Sequence, residues 1–111
     1  MSVSFHGIGQ VCATFLGAGT EGQVVKMSSA ATVAPCSAGD DFCGVAMCAK
    51  GDACAVQVAG FVTVPYSGTA PSVGFAKLAA DGDGGVKTAE NGREYLVVST
   101  DTAAETATIL L

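Results

Sequence analysis

The sequence predicts an all-β protein, and three observations carry that expectation. From Val11 onward the chain is a series of short runs rich in Val, Thr, Ala and Cys, each ended by Gly, Asp, Asn or Pro, residues that close strands and open turns. The runs recur near the spacing of about 8–12 residues found in sandwiches and barrels. Several of them alternate with a period of two, the signature of a sheet with one buried face.

The elements follow in order. Residues 1–10 place Gly7 and Gly9 among the isolated apolar residues Val3, Phe5 and Ile8, with neither a helical period nor the length of a strand, and predict an extended N-terminal arm. A single β domain is expected over 11–111. Its strands are predicted at Val11–Leu16, Gln23–Met27, Thr32–Pro35, Cys43–Ala49, Cys54–Val58, Phe61–Val64, Gly74–Ala79, Gly85–Thr88, Tyr95–Ser99 and Thr106–Leu111. Between them Gly17-Ala18-Gly19, Ala38-Gly39-Asp40, Lys50-Gly51-Asp52, Ser67-Gly68, Asp81-Gly82-Asp83-Gly84-Gly85 and Asn91-Gly92 supply residues that tolerate positive φ, so hairpins are favoured over crossovers. The echo of Ala38-Gly39-Asp40 in Lys50-Gly51-Asp52 suggests two successive hairpins. Cys54, Val56 and Val58 should share one face, with Ala55 and Gln57 on the other. Val62 and Val64 repeat that pattern, and Ala107, Ile109 and Leu111 form an apolar stripe in the last strand, whose end should be docked. Only Ala76–Ala80 and Asp101–Glu105 tolerate a helix, and each allows one turn at most.

With 111 residues the chain fits one domain. Half of it is apolar, yet 19 residues are Ala and 15 Gly, while Leu, Ile, Phe, Tyr and Met together number 17. At roughly 25 cal/mol per Å² of apolar area buried, so light a core should barely exceed the entropy cost of folding, and a partner surface is the natural source of further burial. The net charge is −5, and Lys26, Lys50, Lys77, Lys87 and Arg93 are scattered along the chain, so no basic stripe follows a phosphate backbone. With no Trp and seven Phe and Tyr in all, no stacking platform for single strands is present either. Neither nucleic acid nor nucleotide is expected as a partner. The N-terminus lacks the basic start and apolar run of a secretory signal, and no stretch approaches the ~20 apolar residues of a membrane span. A cytoplasmic origin and no membrane partner are therefore expected.

The chemistry-bearing residues read as structural. His6 is the only histidine and no Ser or Cys is tied to it by spacing, so it reads as a surface or interface residue, not a catalytic base. Cys12, Cys36, Cys43, Cys48 and Cys54 are separated by 23, 6, 4 and 5 residues; no C-x-x-C pair occurs, and no metal site is expected. An odd set leaves at least one thiol unpaired, and buried free thiols packing like Ala or Val are the expectation. Asp81-Gly82-Asp83-Gly84-Gly85 looks like the start of a calcium loop, but its twelfth position is Gly92 where a bidentate Glu is needed, so it reads as a hairpin turn. Lys26-Met27 resembles the modified lysine of biotinyl or lipoyl carrier barrels, although Val25 stands where the biotinyl pattern has Met. No cofactor and no catalytic residue is expected.

An ordered set of segments carries a wider resemblance: Glu21–Lys26, Ala38–Ala46, Val56–Pro65, Val73–Lys87 and Ala107–Leu111. Over roughly residues 7 to 111 the chain resembles the small decoration, cement or head-fibre-like proteins of tailed-phage capsids and their prophage relatives. The resemblance implies a small antiparallel β-barrel or β-sandwich that assembles as a homotrimer on the outer surface of an icosahedral shell. There it clamps neighbouring subunits of the major capsid protein and performs no enzymatic chemistry. On that reading Val3, Phe5, His6 and Ile8 are the expected capsid contacts, through an arm that pairs with a strand edge of the shell. The alternative is a small carrier or ligand-binding barrel using Lys26; a secreted or cell-surface structural module is a third possibility.

Overall fold

The computed structural model describes residues 10–111. Val3, Phe5, His6 and Ile8, with all of the predicted arm except Gln10, lie outside the described residues. The remainder is an all-β fold of ten strands: β1 (Val11–Gly17), β2 (Val24–Ser29), β3 (Thr32–Pro35), β4 (Gly44–Lys50), β5 (Ala53–Ala59), β6 (Phe61–Pro65), β7 (Gly74–Ala80), β8 (Val86–Thr88), β9 (Arg93–Asp101) and β10 (Thr106–Leu110). Each coincides with a predicted strand, most of them displaced or extended by one or two residues at an end. Ala76–Ala80, a helix-tolerant window, belongs to β7; of the other window, Asp101–Glu105, Asp101 ends β9 and the remaining four residues form a turn.

The strands form two sheets. The first closes as a five-stranded barrel in the order β1-β3-β2-β4-β5, and the second is an open sheet ordered β6-β10-β9-β7-β8. Hairpins join β2 to β3, β4 to β5, β7 to β8 and β9 to β10. The sheet is not wholly antiparallel, because β1 runs parallel to β3 where Leu16 and Gly17 meet Thr32 and Val33. The connection from β3 to β4 passes over β2 instead of making a hairpin, since β4 lies between β2 and β5. The Ala38-Gly39-Asp40 half of the sequence echo is therefore a crossing loop, and the Lys50-Gly51-Asp52 half is a true hairpin turn.

Two-residue alternation sorts side chains between the barrel lumen and the second sheet. Val25, Ala46, Cys54 and Val56 point inward and pack with Val33, with Phe15, Cys43 and Val58 partly buried beside them. Their neighbours Val24 and Val45 point outward into a larger cluster with Phe42, Val64, Leu78, Tyr95, Val97 and Ile109. The crossing loop delivers Phe42 to the seam, where its ring stacks on Tyr95 with centroids 4.9 Å apart and planes 10° from parallel. The Tyr95 hydroxyl donates to the Phe42 carbonyl at 3.3 Å, and the Arg93 guanidinium sits 5.4 Å from the Tyr95 ring centroid. Backbone bonds from Val24 N–H to Gly84 O, from Gly39 N–H to Ala80 O and from Ala80 N–H to Asp40 O lace the two sheets together.

The predicted faces of β5, β6 and β10 are observed: Cys54, Val56, Val64, Ala107 and Ile109 are buried, with Val58, Val62 and Leu111 packed against the same clusters. Gln57 departs from the expectation of a solvent face. It is 2% exposed because the outer face of β5 is covered where the chain turns from barrel to second sheet. Its Nε2 donates to Ala59 O at 3.1 Å and to Phe61 O at 3.0 Å, fastening β5 to β6 across Gly60, whose φ is +92°.

Glycine serves two purposes, only one of which was expected. Gly17, Gly39, Gly51 and Gly82 adopt positive φ, as turns require. Gly19, Gly85 and Gly92 do not, and are glycine because other atoms approach them closely: a Cβ on Gly92 would lie 2.4 Å from Leu78 O, and one on Gly85 would lie 2.5 Å from Pro65 O. The β2–β3 turn uses Ala31 at φ 55°, and the β9–β10 turn uses Glu105 at φ 54°.

Candidate functional site

The thiols do not converge. Cys54 is buried in the barrel, Cys36 and Cys43 are partly buried, and Cys12 and Cys48 are exposed; all five are free. The expectation of buried thiols is thus corrected for Cys12 and Cys48. Both lie on outward positions of the barrel wall, where Cys12 stands opposite Gln57 and Cys48 opposite Ala55. Burial, reinforced by the Asp40 carboxylate and only partly offset by Lys26, pushes the Cys36 thiol up to about 11. Burial also raises Cys43 and Cys54. At neutral pH these three remain thiols, the form that is a poor nucleophile and a poor metal ligand. Among the described residues no group of three or more His, Cys, Asp or Glu side chains is placed to hold a metal ion.

Lys26 lies within β2, opposite Ala34 of β3, and not at the hairpin tip. Its Nζ is 2.7 Å from Asp40 Oδ2, and the same oxygen accepts the Ser37 N–H at 2.8 Å. Each side chain is about one-third exposed, at 34% and 32%. The hydrogen bond and charge of Asp40 raise the Lys26 ammonium, and Lys26 with the Ser37 amide lowers the Asp40 carboxyl. The ion pair pins the crossing loop to β2, and both partners are held in their charged forms.

The most developed polar arrangement lies at the mouth of the β7–β8 hairpin. An open cleft of about 310 Å³ is lined by Ser67, Gly68, Thr69, Asp81, Asp83, Lys87 and Thr88. Ser67 Oγ donates to Asp81 Oδ2 at 2.5 Å, while Asp81 Oδ1 accepts the Asp83 N–H at 2.6 Å and the Gly85 N–H at 3.1 Å. Partial burial acts to raise the Asp81 carboxyl, but the Ser67 hydroxyl and the two backbone donors outweigh it and hold the group below its ordinary value. A depressed, fully hydrogen-bonded carboxylate is a weak base. Asp81 therefore serves as a clasp between the loop after β6 and the hairpin. Sequence reasoning placed Ser67-Gly68 and Asp81–Gly85 in separate turns; their meeting depends on the parallel bridge of Tyr66 to Val86, which no local pattern announces.

The barrel offers a different feature. β1 pairs with β5 along most of its length, from Val11 opposite Ala59 to Leu16 opposite Ala53. Among the described residues it meets β3 only at Leu16 and Gly17. The stretch from Val11 to Phe15 therefore has one strand neighbour among the described residues, and Val11 and Leu16 are exposed at 53% and 57%. Gln10 leads directly into this margin, with its Nε2 3.4 Å from Gln57 Oε1.

No protein-family model matches the chain, and no curated protein matches it.

Proposed function

We propose that this protein is a non-enzymatic structural component that decorates and stabilises an icosahedral phage capsid from its outer surface, binding the major capsid protein as a homotrimer after synthesis in the host cytoplasm. The observation that carries the reading is the open margin of β1, continuous with the N-terminal residues. Along Val11–Phe15 the strand has one strand neighbour among the described residues, and with Val11 exposed this margin is suited to pair with an extended segment of a neighbouring subunit. The small closed barrel adds rigidity, the Cys54 thiol packs inside it, and the Asp40 and Asp81 carboxylates are taken up in contacts that fasten loops. Neither nucleic acid nor membrane is a partner in this reading, and it uses no cofactor. Many copies on one shell convert a weak contact into durable attachment.

The test is co-sedimentation with expanded shells assembled from the major capsid protein of the phage or prophage that encodes this chain. The intact chain is expected to saturate the shells. A variant lacking residues 2–10 is expected to keep its far-UV circular dichroism and lose shell binding. Full occupancy by that variant overturns the role of Val3, Phe5, His6 and Ile8, and failure of the intact chain to bind overturns the capsid reading itself.

A further inference from the structure

The outer face of the second sheet carries a row of apolar side chains at one level across four strands. Phe75 of β7 is opposite Leu96 of β9, Leu96 is opposite Leu110 of β10, and Leu110 is opposite Phe61 of β6. Phe75 is 72% exposed and Val73, just before β7, 67%, although the other face of the same strands buries Tyr95, Val97 and Ile109. One step along β7 and β9 from this row, Lys77 stands opposite Glu94. Both are exposed, and neither joins an ion pair among the described residues. On the other side of the row Thr63 and Thr108 share a hydrogen bond of 2.9 Å. The face thus has an apolar centre and a polar rim, the anatomy of a protein contact.

The arrangement of charge selects the occupant. A two-fold axis lying in the plane of the face, parallel to the strands and midway between β7 and β9, exchanges those two strands between copies. It sets Phe75 of each copy over Leu96 of the other, and Lys77 of each over Glu94 of the other. One patch is then complementary to itself in both shape and sign, as an isologous contact requires. We infer that the outer face of the second sheet is a self-association surface on which a second copy of this chain docks face to face through Phe75 and Leu96, with reciprocal Lys77–Glu94 pairs.

Five strands spaced about 4.8 Å apart and about 20 Å long offer at most about 500 Å², short of the roughly 800 Å² per partner of a stable complex. The contact is accordingly weak, with self-association expected at concentrations on the order of 10⁻⁴ M and above. This pairing is separate from the threefold assembly proposed on the shell, and it is measured without one.

Sedimentation velocity of the full chain up to about 1 mM at low salt tests it. The mass is expected to rise toward a dimer with concentration, and Phe75→Ser is expected to lower the association constant about tenfold or more. Phe75 is exposed, so circular dichroism of the variant should be unchanged. Lys77→Glu alone and Glu94→Lys alone each place like charges across the two-fold, and each should weaken association about tenfold. An equimolar mixture of those two variants pairs opposite charges at both contacts, and is expected to associate at least as strongly as the unaltered protein. A mixture no more associated than its components, or a Phe75→Ser protein that associates like the original, overturns the inference.

Discussion

The barrel and the second sheet draw on the same stock of Val, Ala and Thr, yet they spend their large side chains differently. The barrel lumen is filled by Val25, Val33, Ala46, Cys54 and Val56, with Phe15 only partly buried beside them. The cluster between the sheets collects Phe42, Tyr66, Leu78, Tyr95 and Ile109. The reason is geometric: eight strands enclose a space just wide enough for ordinary side chains, and five enclose less. The lumen has no slack, since a Cβ on Gly19 would lie 3.0 Å from both Ala46 Cβ and Val25 Cγ1 and 3.1 Å from Cys54 Sγ. A composition short of large residues is therefore what a narrow barrel requires, and the few available are concentrated where two sheets meet. The two regions also differ in how they are closed. The barrel depends on short seams, β1 with β3 at two residue pairs and β2 with β4 at two, whereas β10 is paired on both sides along its length.

That contrast can be broken most directly at Gly17. It combines a φ of +107° with a site where a Cβ would fall 2.0 Å from Val33 O, so Gly17→Ala adds backbone strain and a backbone clash at the β1–β3 seam. The substitution is expected to cost about 4 kcal/mol or more, read as the shift of a urea unfolding midpoint. Gly92→Ala at the second sheet also meets a carbonyl, Leu78 O, but without positive φ, and should cost less. Equal losses would mean that the seam is not the weak point of the barrel.

Cavities should separate the regions next. Ile109→Ala removes a fully buried side chain from the inter-sheet cluster and is expected to cost about 3–4 kcal/mol. Val56→Ala in the lumen removes less volume from walls already in contact, at about 2 kcal/mol. Gln57→Ala follows at about 1–2 kcal/mol, because the Ala59 and Phe61 carbonyls lose their shared donor. Its diagnostic readout is amide hydrogen exchange, which should quicken around Gly60, where the sheets join, while β9 and β10 stay protected. Quickening spread evenly over both sheets would show that Gln57 is not a local fastener.

Much of this was legible from local pattern. Every strand but β7, which reads Gly-Phe-Ala-Lys-Leu-Ala-Ala, carried Val or Thr between turn residues, and the period of two placed Cys54, Val56, Val64 and Ile109 on their buried faces. What local pattern does not carry is long-range pairing: the parallel meeting of β1 with β3, the passage of the crossing loop over β2, and the contact of Ser67 with Asp81. The β2–β3 turn was also opaque in its mechanism, since Ala30 and Ala31 lack the glycine or asparagine that usually accepts positive φ; Thr32 Oγ1, donating to Ala30 O at 3.0 Å, braces it instead. Gln57 looked like a solvent residue because alternation reports which face a side chain takes and not whether another sheet covers that face. Of the proposed capsid contacts, Val3, Phe5, His6 and Ile8, none falls within the described residues, whereas the Asp81 clasp could be found only from the fold.

The smallest expected effect is a dependence on pH that also divides the regions. Asp81 of the second sheet and Asp40 of the barrel both have folded-state carboxyls below their ordinary value of 3.8. A depressed carboxyl contributes stability that is fully present above its unfolded pKa and is lost as pH falls through the folded one. Each therefore stabilises at neutral pH and ceases to do so progressively below about pH 4. Asp81 receives a hydroxyl and two backbone donors and is partly buried, whereas Asp40 relies on one backbone donor and an ammonium that water and salt screen. Replacing each by asparagine removes the titration at nearly constant shape. In urea midpoints measured from pH 7 to pH 2, the gap between the original protein and Asp81→Asn should be largest at neutral pH and shrink below pH 4. The gap for Asp40→Asn should be smaller throughout and shrink further in 0.5 M salt, because the Debye length there is only about 4 Å. A gap for Asp81→Asn that is independent of pH would show that the clasp works through shape alone, and an Asp40→Asn gap larger than that of Asp81→Asn would make the barrel, not the second sheet, the acid-sensitive half.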